Sequence, residues 1–123
     1  MPIINRQEIS GQGRESIRDL SVLDLIAGEM MLVPGVEMKD HGHDEIELHV
    51  GGRSFAHMHG PDRIELRLPP DLKEFMISQG TASRSPAVHD REGWVILKLG
   101  PRPDLRHIMR VFHQSYQFAS ATI

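Results

Sequence analysis

The run Phe55-Ala56-His57-Met58-His59-Gly60 places two imidazoles two residues apart. On a strand such residues point to one face, so His57 and His59 can jointly hold a divalent metal ion through ring nitrogens. A second pair, His41-x-His43, lies close by in the sequence. Two pairs would supply four nitrogen ligands, or three with an open position for a metal-activated water. The same residues also have uses without a metal, since a neutral imidazole can act as a base and a strand histidine can be purely structural. With eight histidines and no cysteine in 123 residues, disulfides, thiolate metal sites and thiol nucleophiles are excluded. Any metal must sit on His and carboxylate.

Gly51, His57, His59 and Glu65 partly follow the cupin order of glycine, His-x-His and a downstream glutamate. Glu65 falls one or two positions too far along, and helices at both ends of the chain do not suit a cupin barrel. Ser85, His89, Asp90 and Ser115 are the residue types of a nucleophilic triad, but no Gly-x-Ser-x-Gly elbow accompanies them. Gly51-Gly52 does not open a helix, so it is no phosphate cradle. Trp94, after Gly93, is a candidate core anchor that could also wall a pocket beside a histidine loop.

Charge is uneven along the chain. The whole carries -3, yet residues 82–123 sum to +3 and the first 81 residues to -6. Arg102, Arg106 and Arg110 recur every four residues and predict one basic stripe on the last helix, which could lie on phosphates. The alternative is the solvated face of an amphipathic helix. No aromatic residues interleave these arginines and no groove-reading motif is present, which argues against nucleic acid.

These residues need elements to position them. Residues 1–13 read as a flexible arm, and 14–123 as a single α+β domain. From Arg14 to about Glu29, Ile17, Leu20, Leu23 and Ile26 form one helical stripe. Glu45-Ile46-Glu47-Leu48-His49-Val50 alternates strictly, with Ile46, Leu48 and Val50 on one face of a strand and Glu45, Glu47 and His49 on the other. Gly51-Gly52 predicts a hairpin turn with Arg53 to His59 as the partner strand. Simple pairing across that turn sets Leu48 against Phe55 and Ile46 against His57, leaving His57 among apolar neighbours. Val36 to Met38 predicts an edge strand, and Ile64, Leu66 and Leu68 another strand.

Pro70 or Asp71 opens a short helix burying Leu72, Phe75 and Met76 and stopping at Gly80. Residues 81–93 read as a surface loop and Trp94 to Leu99 as a strand. Pro103 stands in the first turn of a last helix whose Leu105, Ile108, Met109, Phe112 and Tyr116 face the core; it also carries His107 and His113. The expected architecture is an antiparallel sheet of about five strands packed against N-terminal and C-terminal helices.

Gly51-Gly52-Arg53, Ala56-His57-Met58-His59-Gly60, Leu66-x-Leu68-Pro69-Pro70-x-Leu72, Gly93-Trp94-Val95 and Ser115-Tyr116 occur in the order of a small domain labelled luciferase family, which this chain resembles from about residue 34 to 118. The label implies no light emission. The order from Pro34-Gly35-Val36-Glu37 to the Ser-Tyr helix is also similar to the MmcQ/YjbR-like group of small α+β proteins, for which DNA binding has been suggested. The luciferase resemblance implies interest in His57, His59, Trp94, Ser115 and Tyr116. Family members often carry a His-His pair before Gly-Trp-Val. Here that stretch reads Ser85-Pro86-Ala87-Val88-His89, with only His89 as a stand-in.

The expectation is a cytoplasmic domain, with no export signal or membrane span, that binds a small polar or anionic ligand near His57, His59, His89 and Trp94. One alternative is a small-molecule hydrolase using His57 and His59 as base or metal ligands, with His41 and His43 as further candidate ligands. Another is DNA binding through the basic last helix.

Overall fold

The Gly51-Gly52 turn joins two strands, Glu45–Val50 (β2) and Arg53–His59 (β3), as the alternation and the glycine pair predict. Both glycines adopt positive φ, 57° and 78°, which side-chain-bearing residues rarely take. The computed structural model describes residues 22–60 and 63–121. The expected arm and most of the first expected helix lie outside those residues. Its last part is seen as Val22–Met30 (α1), which buries Leu23, Ile26, Ala27 and Met30.

Among the described residues six strands form one sheet with every neighbouring pair antiparallel. Val36–Gly42 (β1) pairs with β2, extending further than the expected edge strand. Arg63–Arg67 (β4) follows β3, and Pro70–Ser78 (α2) follows β4. Where a loop was expected at 81–93, the chain makes the strand Ala82–Arg84 (β5) and the helix Ala87–Arg91 (α3). Three and five residues are too few for a hydrophobic period to register. Trp94–Leu97 (β6) then inserts between β4 and β5, giving the order β1-β2-β3-β4-β6-β5. β5 is the sixth strand that the sequence concealed.

Leu105–Ala121 (α4) closes the described chain. Asp104, rather than Pro103, starts it: its Oδ1 accepts hydrogen bonds from the backbone N–H groups of Arg106 and His107. Ile108, Val111, Phe112, Ser115 and Ala119 are buried, while Leu105 stays exposed. Phe75 also lies exposed, with Met76 taking the core side of α2. Among the described residues no helix is long and apolar enough to cross a membrane.

The two sheet faces differ in kind. Leu48, Met58, Ile64, Leu66, Val95 and Leu97 share the core with α1 and α4. Glu45, Glu47, His57, His59 and Glu65 point the other way. Trp94 is buried, yet it stands outside that main core because β4–β6 pairing puts it on the face of Glu65 and Arg67.

Candidate metal and ligand site

A bulge in β3 decides which face carries the histidines. Leu48 pairs with Ala56 but His49 pairs with Ser54, so Phe55 is an extra residue opposite β2. Phe55 and Ala56 both face the core, fully buried. The alternation therefore shifts by one residue. His57 pairs with Glu47 rather than Ile46 and joins the polar face, which corrects the expected apolar surroundings. The bulge is pinned from behind: the fully buried Ser115 hydroxyl of α4 lies 2.9 Å from the Phe55 carbonyl and 2.6 Å from that of Arg67.

The register now lines up Glu47, His57 and Glu65 across three adjacent strands. His57 Nε2 lies 2.5 Å from Glu47 Oε2 and 3.1 Å from Ser54 Oγ. That occupies Nε2 and leaves Nδ1 as the other ring nitrogen. His59 Nδ1 stands 3.2 Å from Glu45 Oε2, with Nε2 3.7 Å from Glu65 Oε1. Glu65 is buried, and its Oε2 accepts a hydrogen bond from Ser85 at 3.3 Å. His57, His59 and Glu65 each present one donor atom within 4.8 Å of the other two.

Glu47 is also a hub. His49 Nε2–H donates to its Oε1 at 2.7 Å, and His41 Nε2 lies 3.4 Å from the same oxygen. Burial by itself would raise the carboxyl's pKa. Hydrogen bonds from His49 and His41, with the charges of His57 and His49, outweigh it and lower the value to about 2. Glu47 is thus a carboxylate near neutral pH. A cleft of about 230 Å³ runs past His41, Glu45, Ile46, Glu47 and His57.

On the other side of His57, away from that cleft, stand β6 and α3. The Trp94 ring sits 4.8 Å from that of His57 and 6.2 Å from that of His89. His89 Nδ1 is 4.0 Å from Glu65 Oε2. None of the α3 side chains is buried, so polar contacts hold the helix. Lys73 Nζ of α2 donates to the Asp90 carbonyl at 2.6 Å and lies 2.8 Å from its carboxylate. Arg84 bridges Glu74 and Asp90. Hydrogen bonds from Lys73 hold the Asp90 carboxyl below the usual aspartate range. Gly93 links α3 to β6 at φ +97°, and a side chain there would meet the Leu68 carbonyl at 3.2 Å.

A family model described as Luciferase domain matches residues 52–115, just over half of the chain. The chain belongs to the luciferase-domain family. The match spans β3 through most of α4, so the luciferase-domain segment itself contains His57, His59, Glu65, His89, Trp94 and Ser115. No curated protein and no solved structure matches the chain.

Within this luciferase domain, His57, His59, His89 and Trp94 lie together on the polar face. Ser115 and Tyr116 lie across the sheet in α4, where Tyr116 donates its hydroxyl hydrogen to the Pro34 carbonyl at 2.8 Å. His41 meets Glu47 rather than the three clustered donors. His43 occupies the β1–β2 turn at φ 54°. Arg106 lines a cleft with Ile26 and Glu29, whereas Arg110 lines another with Leu72 and Phe75, so two clefts divide the stripe. Arg102 is exposed ahead of α4.

Glu45, Glu47, Ser54 and Arg63 were missed as site residues, and Glu65 was seen only as a spacing. Glu45-x-Glu47 beside a hairpin carrying His57-x-His59 was the available signal, but the bulge had to be counted to use it.

Proposed function

We propose that His57, His59 and Glu65 hold a divalent transition-metal ion, and that a small polar ligand binds at that ion beside His89 and Trp94. One observation carries this reading: the three donor atoms lie within 4.8 Å of one another. Support comes from the groups behind them. Glu47 orients His57, Glu45 orients His59, and Ser85 holds the other oxygen of Glu65. Carboxylate–histidine pairs of this kind fix the ring and raise the basicity of the ligating nitrogen. Two imidazoles and a carboxylate suit zinc, iron and similar ions, and they leave coordination positions for water or substrate.

A bound ion would polarise a ligand oxygen or acidify a water molecule. This chain's residues supply the rest: Glu47 and Glu45 keep the imidazoles aimed, and Trp94 excludes water from one side. Hydrolysis of a small molecule is the reaction class that suits such an arrangement.

The test is titration of the purified, metal-stripped chain with Co²⁺ and Zn²⁺. One equivalent should bind, with a cobalt visible spectrum that His57→Ala/His59→Ala and Glu65→Gln abolish. Failure to bind either ion stoichiometrically, or unchanged affinity in these variants, refutes the metal reading.

A further inference from the structure

Two donors at the mouth of the site remain without a role in holding the ion. Arg63, at the start of β4, places Nε 4.0 Å from Glu65 Oε1. His89, from α3, places Nδ1 4.0 Å from Glu65 Oε2. They flank opposite oxygens of one carboxylate. Both distances exceed a hydrogen bond, so neither contact uses the donor's capacity.

Exposure separates these donors from the carboxylate they flank. The side chains of Arg63 and His89 are 51% and 48% exposed, against 8% for Glu65. An ion bound at Glu65 would compete for the negative charge that draws both toward it. Their N–H groups would then face solvent beside an open coordination position. A guanidinium and an imidazole brought beside one carboxylate from two elements are groups that recognise anionic oxygen. The Glu45 and Glu47 carboxylates lie on the β2 side, engaged with His59 and His57, away from Arg63 and His89.

We infer that the ligand taken at the metal is a small oxyanion, a carboxylate or a phosphate, bound jointly by the ion, Arg63 and His89. Trp94 is only 6% exposed, so the indole backs His57 and offers no broad stacking surface to an aromatic ligand. This inference rests on the metal reading and names the substrate class for it.

The experiment uses the Co²⁺-loaded chain, titrated separately with inorganic phosphate and with acetate and followed through the cobalt visible spectrum. At least one anion should shift the spectrum saturably, and the tighter of the two identifies phosphate or carboxylate as the class. Arg63→Ala and His89→Ala should each weaken that binding about tenfold, the loss expected for a charge-assisted hydrogen bond. Cobalt affinity should be kept or rise, since neither residue holds the ion and each variant removes a group that competes with it for the Glu65 carboxylate. Arg63→Lys should recover part of the loss. Circular dichroism checks that the exposed-site variants fold. If cobalt binds normally but no anion perturbs it, or a chain carrying both Arg63→Ala and His89→Ala binds anion as tightly as wild type, this inference alone falls. If cobalt does not bind, the metal reading falls and takes the inference with it.

Discussion

Ser115→Ala tests whether α4 holds the β3 bulge in place. Ser115 is fully buried, and its single hydroxyl hydrogen serves two carbonyls, those of Phe55 at 2.9 Å and Arg67 at 2.6 Å. Phe55 is the residue that the bulge takes out of register with β2, and it has no partner in the β3–β4 register either. Alanine deletes one oxygen and leaves little cavity. The cost therefore comes from carbonyl oxygen left dry in the core, about 1–3 kcal/mol, toward the upper end because two carbonyls share the hydroxyl. A loss of about 2–3 kcal/mol is expected, which a domain of ordinary stability survives. Urea unfolding should show a lowered midpoint at unchanged slope. The melting temperature should fall by roughly 8–12 °C, at about 4 °C per kcal/mol for a domain of this size. Because the bulge sets the direction of His57, cobalt affinity should fall in the same variant. A stability loss below about 0.5 kcal/mol, the size of an ordinary surface substitution, would show that the bulge holds itself. A large stability loss with cobalt affinity untouched would separate the pin from the site and refute the link between them.

Three further outcomes follow from the geometry. Glu47→Gln keeps the shape but removes the charge that orients His57, so metal affinity measured by calorimetry should drop about 10–100-fold; an unchanged value would deny Glu47 that role. The folded Asp90 carboxyl is held below its ordinary value, so its contribution is complete above the unfolded aspartate pKa of about 3.9 and is lost as pH falls through the lower folded value. Trp94 fluorescence should report that acid release of α3, and Lys73→Met should move it to higher pH; an unmoved transition would show that Lys73 does not hold the helix. Gly93→Ala forces a side chain into φ +97° and against the Leu68 carbonyl, and should cost about 1–3 kcal/mol in thermal unfolding, with a neutral result contradicting the strain.

Much of the scaffold was readable from short-range patterns. Ile46, Leu48 and Val50 declare a half-buried strand, and Gly51-Gly52 declares its turn because few other residues accept those angles. His57 and His59 stood out by spacing alone. Their surroundings did not, since one extra residue at Phe55 reverses the face and no local preference announces it. The same limit explains Glu65, which meets His59 only through strand pairing and Ser85 only through the return of the chain at β5. Arg102, Arg106 and Arg110 share a helical stripe in sequence, but the neighbours of α4 assign Arg106 and Arg110 to different clefts. Lys73, on a short helix, is buried against Asp90, a contact that no local pattern announces.

The division of the sheet into an apolar face under α1 and α4 and a polar face carrying the imidazoles has a consequence for how such a domain can diversify. The side chains that hold the fold together and those of the polar face are carried by the same strands in alternation, yet they point to opposite sides of the sheet. Exchanges at Arg63, Ser85 or His89 change the chemistry of the polar face while leaving Leu48, Ile64, Leu66 and Val95 in place. New specificities can therefore be sampled on one side of the sheet without spending the stability stored on the other.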